Sequence, residues 1–454
     1  MSDAAAPADP DAPAIRAWTP LRHPVYRNLW IAWIAACLTL WMNDVAAAWL
    51  MASLTASPVM VALVQTAAAL PVFLLGLPAG ALADIFDRRR LLIFTQAWAV
   101  LVAVLLFVLA LGGALDPTSL LVLVFANGIV LALRWPAFSA IVPDLVPHRE
   151  IPAASALNGV ANNGSRLAGP LLAGVVIAAA GSAYVFGLNA LLSLLSATLL
   201  VRWSAPARTS ALPGERFVGA MRLGIQHVRQ STRMHCVLLH VAIFFLNMIA
   251  VVALLPLVAK RLDGGAGAYA MMMAGLGAGA VAGAFALPRV NRRLDPERRF
   301  AAAALMYAAA TAGVALAPGR AVVLVAMFCA GAAFMVAGNT LIVAATMALP
   351  QWVRARGLAI YQMVMMGASA AGAAWWGWIA SVSSVRAALL GAAATMAFGL
   401  LASRRVPLPI GSGEETRPAG QWSSPDVALD IAPEQGPVLV TVEYRIDPDR
   451  TDEF

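Results

Sequence analysis

One lysine stands in 454 residues, and charge of either sign is scarce. Asp, Glu, Lys and Arg together make 12% of the chain, against about 25% in an ordinary soluble domain. At this length, that scarcity excludes a water-soluble core. Cysteine is rarer still. Cys37, Cys236 and Cys329 lie in or beside apolar runs, without metal-ligand spacing, and read as small buried hydrophobes. The five histidines are scattered, so no metal site is expected. No GxxxxGK[ST] segment occurs, which argues against ATP hydrolysis. The opening MSDAAAPADPDAPAIRAW has no apolar h-region and is not expected to act as a cleavable signal peptide; the first span would serve as its own insertion signal.

What is present is apolar: 61% hydrophobic residues and a mean hydropathy of +0.79. A membrane-crossing helix takes about 20 such residues. Twelve spans are read, at 29–52, 59–83, 91–113, 118–139, 154–180, 183–203, 236–259, 268–288, 300–317, 321–348, 357–380 and 385–402. Thirty of the 31 basic residues are Arg. Their clusters alternate loop by loop, gathering at Arg88–Arg90, 202–233, 289–299 and 404–405, while the intervening loops keep only Lys260, Arg261, Arg320 and Arg386. Basic residues stay inside, so both termini are expected in the cytoplasm. The same placement explains a net charge of +8 without nucleic acid.

The division expected is a cytoplasmic segment 1–28, a six-helix bundle 29–203, a cytoplasmic loop 204–235, a second bundle 236–403 and a cytoplasmic tail 404–454. In the loop, ERFVGAMRLGIQHVRQ spaces apolar residues as an amphipathic helix lying on the membrane would. The tail begins as a Gly/Pro/Ser-rich linker and ends in PVLVTVEYRIDPDRTDEF, which alternates like one strand. A shift of 203 maps Gly169 to Gly372, Gly80 to Gly283, Gly128 to Gly331 and Pro147 to Pro350. This predicts an all-α membrane protein of two parallel six-helix repeats, a transporter plan.

The segment GALADIFDRRRLL resembles the signature of the major facilitator superfamily between its second and third helices. Gly80, Asp84, Arg88, Arg89 and Arg90 stand at signature positions, with Ile85 and Asp87 as departures. The resemblance implies a conformational latch, in which Asp84 and Asp87 meet arginines or helix N-termini at the inner face. A plain positive-inside anchor would need only the arginines. NNGSRLAGPLLAG, with Gly164, Gly169, Pro170 and Gly174, resembles the antiporter motif of exporters in that superfamily. Together with WMNDVAAAWLMASLTASP and IVPDLVPHREIPAASALNGVANNGSRLAGP, these segments resemble the enterobactin-exporter or transmembrane secretion effector branch. The resemblance implies export of a small molecule such as a siderophore, drug or secondary metabolite, from the inner membrane, by a monomer, through rocker-switch access driven by protons. An importer on the same fold and a non-transporting scaffold or sensor stay open.

Charges inside spans are usually functional. Asp44 in span one and Arg166 in span five are the two that stand out, and a pair between them would meet both desolvation problems. Such a pair is either structural or a proton switch. At offset 203 the mate of Asp44 is Asn247. Asn158, Asn162 and Arg166 share one face of a helix. Gln65, Asn127, Asn339, Tyr361 and Gln362 are further cavity candidates, each of which could equally be interhelical glue. Trp41, Phe245 and Phe334 are candidate cavity walls.

Overall fold

The computed structural model describes residues 18–85, 87–203, 225–350 and 353–403. Among these, twelve helices are long and apolar enough to cross a membrane. They are α1 (Pro24–Leu54), α2 (Pro58–Ile85), α3 (Arg88–Leu111), α4 (Pro117–Leu145), α5 (Ile151–Ala180) and α6 (Ser182–Arg202), then α7 (Thr232–Arg261), α8 (Ala266–Arg293), α9 (Pro296–Leu316), α10 (Arg320–Met347), α11 (Arg354–Val382) and α12 (Val385–Ser403). Of the amphipathic segment before α7, residues 225–230 are helical, with Val228 buried and its neighbours Ile225 and Arg229 exposed. Residues 204–224 of that loop, and the whole tail with its strand pattern, lie outside the described residues.

The helix ends follow from local chemistry. Pro24, Pro58, Pro117 and Pro296 each open a helix, where a missing N–H is no loss. Asp87, Asp116, Ser231 and Asp295 cap α3, α4, α7 and α9 by accepting backbone N–H groups of the first turn. Gly181, with φ of +102°, is the single residue between α5 and α6 and takes a conformation that other residues adopt only under strain.

Short connections make successive helices alternate in direction within each group of six, and the antiparallel contact of α2 with α11, Ala62 against Gly377 and Gly76 against Met363, gives both groups the same sense. The start of α1 and the end of α12 therefore share one face, the terminal face; the α1–α2 and α7–α8 connections lie on the opposite, far face. In the first group α1 packs on α5 and α6, α2 on α4, and α3 on α4 and α6. In the second, α7 packs on α11 and α12, α8 on α10, and α9 on α10 and α12. The groups meet where α2 lies on α11 and α7, and where α5 lies on α8.

Apolar side chains such as Phe285 and Phe398 point outward at 75% and 72% exposure, as lipid-facing residues do. With lipid outside, helices are held by close packing and hydrogen bonds. Long side chains supply many of these by donating to main-chain carbonyls of neighbouring helices. Tyr26 Oη donates to Ala154 O (3.0 Å), Trp30 Nε1 to Leu157 O (3.1 Å), Tyr307 Oη to Met248 O (3.0 Å) and Trp376 Nε1 to Leu246 O (3.1 Å).

Candidate functional site

Arg166 stands where the two groups meet. Its guanidinium carbon lies 5.1 Å from the ring centroid of Trp41 on α1 and 4.1 Å from that of Phe334 on α10. A planar cation is well matched to aromatic faces. Phe245 of α7 meets Phe334 edge-on at 6.1 Å, so the three aromatic residues proposed as walls do gather here. The Nε of Arg166 is buried without a hydrogen-bond partner. So is Oδ1 of Asn158, two turns toward the terminal face. Asn162, between them, is half-buried.

Asp44 does not pair with Arg166. The register explains why. Gly169 is pressed on Trp41, whose Cβ would lie 2.6 Å from a side chain added at 169. The parallel helices α1 and α5 are therefore level at those residues. Arg166 lies three residues below that level and Asp44 three above, an axial separation of about 9 Å at 1.5 Å per residue. Asp44 instead comes within electrostatic reach of Tyr269 on α8, and Tyr269 stacks on Trp49 with centroids 5.9 Å apart. Asp44 makes no hydrogen bond or ion pair among the described residues.

The far side of this junction is tightly closed. Lys260 Nζ donates to the carbonyl of Ala52 and sits over Trp49, 5.9 Å from its centroid. A side chain at Gly174 would overlap the methyl of Ala270 on α8. Gly377 of α11 leaves room for Ala62, 2.5 Å from where its Cβ would stand. Toward the terminal face, by contrast, nothing among the described residues lies within 4 Å of a Cβ at Gly338, one turn below Phe334 on α10. The sequence did not single out the Lys260–Trp49–Tyr269 cluster. Its signal was the solitary lysine.

The antiporter-type motif divides. Gly169 and Gly174 carry close helix contacts, and Pro170 is buried between them, but a side chain at Gly164 would meet nothing within 4 Å among the described residues. Asn247 is no cavity residue. It is buried, donates to Ile243 O (2.8 Å) and accepts from Thr395 Oγ1 (2.6 Å), which spends its amide in the α7–α12 contact. Asn127 lines a separate cavity inside the first group. Gln65 and Asn339 are half-buried, Tyr361 is buried and Gln362 exposed.

Of the latch, Asp87 accepts from Arg90 N (2.9 Å), and Arg89 Nη2 donates to Val201 O (2.7 Å) at the end of α6. Both contacts stay within the first group, and Arg90 is exposed. Gly80, Asp84 and Arg88 belong to α2 and α3, but their side chains lie outside the described residues.

The sequence model of the transmembrane secretion effector family matches residues 15–454. An uncharacterized MFS-type transporter of Bacillus subtilis, YfiS, is 29% identical over 187 residues, 40% of this chain and 44% of that protein. The staphyloferrin A transporter of Staphylococcus aureus is 30% identical over 139 residues, 30% of this chain and 35% of that protein. The chain thus spans less than half the length of either curated relative. Among solved structures, the nucleoside transporter NupG superposes with a TM-score of 0.67 at 12% identity, over 84% of this chain and 98% of that one. A bacterial homologue of the lysosomal transporter Spinster, inward-facing and unoccupied, gives 0.68 at 15% identity, over 85% and 97%. At such identities the likeness is one of fold.

Proposed function

The chain belongs to the transmembrane secretion effector family of the major facilitator superfamily, a family of multi-pass membrane transporters and not of enzymes, and from that membership we propose that it exports an anionic small molecule in exchange for protons. One observation carries the proposal: a cation clamped between aromatic rings of the two helix groups, at a junction packed shut on one side. A substrate held by Arg166 touches both groups at once. Rocking the groups about the site would expose it first to one face and then to the other. The alternation of the arginine clusters supports a cytoplasmic terminal face. The arrangement described is then the one that loads from inside.

Asp44 is the proton carrier in this reading. It is an ionisable group inside a span, within electrostatic reach of Tyr269 at the closed far side, and no cation among the described residues holds it. Gaining a proton from outside and losing it inside would bias the far closure. Gly80, Asp84, Asp87 and Arg88–Arg90 would steady the opposite closure at the inner face. Asn158 and Asn162 supply amides along the entry route. The similarity to a staphyloferrin A transporter supports a siderophore as the anion.

The test uses inside-out vesicles carrying a proton gradient, with staphyloferrin A, a catecholate siderophore and a cationic drug as probes. Proton release by an anionic probe, lost in Asp44→Asn, is expected. Uptake into vesicles without proton movement would remove antiport. Flux only outward from the vesicles would replace export by import.

A further inference from the structure

The first helix group holds a second polar site that transport through the junction does not use. A cavity of about 20 Å³ lies among α1, α3, α4 and α6, room for roughly one water-sized particle. Its polar lining comes in pairs at helical spacing: Thr39 and Asn43 on α1, Asn127 and Arg134 on α4, Asn189 and Ser193 on α6. Among the described residues, no Asp or Glu lines it. Asp44, beside Asn43 in sequence, lies toward Tyr269 in the other group.

Arg134 is 6% exposed. Its described contacts are a bond from Nη2 to Ala36 O at 3.2 Å, which Thr39 Oγ1 also donates to, the Trp33 ring at 6.0 Å and the Cys37 thiol within electrostatic reach. These are dipoles, a thiol and a π face; none neutralises the charge. Asn189 is 3% exposed, and both its side-chain nitrogen and oxygen are buried without a partner. Asn43, Asn127 and Ser193 make no side-chain hydrogen bond among the described residues. Buried amides and cations are ordinarily satisfied, and a buried charge without a counter-charge is strongly unfavourable. A water molecule would answer the amide but leave the cation.

We propose that this cavity binds one small inorganic anion of halide size, held by Arg134 and by the amide or hydroxyl donors of Asn43, Asn127, Asn189 and Ser193. The ion would be a fixed part of the fold that lets an arginine sit inside a bundle lacking acids at that point. The inference is independent of what crosses the junction between the groups.

Two measurements on the full-length protein in detergent test it. In a crystal structure grown from sodium bromide, an anomalous peak is expected between Arg134 and Asn189. Ordered water alone at that place would overturn the proposal. In thermal melting at matched ionic strength, wild type should melt roughly 2 °C or more higher in sodium chloride than in sodium gluconate, whose anion is too large to enter. Asn189→Asp supplies a carboxylate beside Arg134 and should abolish the difference. Equal melting of wild type in the two salts would refute the site. Chloride stabilisation undiminished in a folded Asn189→Asp would place the anion elsewhere and refute it too.

Discussion

Adding one methyl group at Gly174 should unlatch the far side of the transporter. The Cβ of Gly174→Ala would overlap the Ala270 methyl across the α5–α8 contact. Ordinary carbon–carbon contact needs about 3.5–4.0 Å, so the two helices must part by more than about 1 Å. Overpacking of this kind costs about 1–3 kcal/mol. That penalty falls only on the arrangement in which α5 and α8 touch, so it converts into a shift of about 5- to 150-fold away from far closure. Spin labels on Leu54→Cys and Asp263→Cys would report the change. Both positions lie near the Lys260–Ala52 bond, in a background freed of Cys37, Cys236 and Cys329. Pulsed dipolar spectroscopy should show a longer-distance population gaining at the expense of the short one. Gly164→Ala belongs to the same sequence motif but meets nothing within 4 Å among the described residues, and should leave the distances unchanged. Equal effects of the two substitutions, or none from Gly174→Ala, would refute the argument from contact geometry.

Three more outcomes follow from particular bonds. Arg166→Gln removes both the charge and the ring contacts, and should weaken binding of an anionic substrate by about 10- to 150-fold, the equivalent of one charged hydrogen bond, in equilibrium binding. Thr395→Val takes the donor from the buried Asn247 carbonyl; a loss of about 1–3 kcal/mol is expected in unfolding measurements, with Thr395→Ser restoring most of it. Asp116, exposed before α4, is held below the usual carboxylate range first by the Ser119 hydroxyl and also by the N–H groups of Thr118 and Ser119. A carboxyl lowered by folding stabilises above its unfolded pKa of about 3.9. That stability fades as pH falls below this value through the folded one, so Asp116→Asn should flatten the acid limb of a melting-versus-pH curve.

The twelve spans were legible because long apolar runs, broken by Pro, Gly and charge, are what a membrane demands. Their ends were less so. The fourth was read to residue 139, but α4 continues to Leu145, since a hydrogen-bond ladder does not stop where hydropathy does. Asp44 and Arg166 stood out as charges in apolar runs. Their pairing failed because one sequence carries no axial register between helices, and Trp41 against Gly169 sets that register. Asn247 was placed by its offset from Asp44, but its amide was already spent on Thr395, which no spacing rule connects to it. The internal cavity was missed for a different reason. Its pairs sit four apart (Thr39 with Asn43, Asn189 with Ser193) or seven apart (Asn127 with Arg134), each pair on a different helix, and look ordinary until the helices are assembled.

The lock at the far face joins a side chain to a main-chain oxygen, Lys260 to the carbonyl of residue 52. The bonds of Tyr26, Trp30, Tyr307 and Trp376 have the same form. Every amino acid presents that oxygen, so each such bond is vulnerable to mutation at one end only. Residue 52 can drift among small side chains while Lys260 is held. A lineage evolving on this scaffold would keep scattered single donors and let their acceptors vary, leaving few correlated pairs to betray the contacts. Drift of that kind allows a transporter fold to persist while its sequence is rewritten.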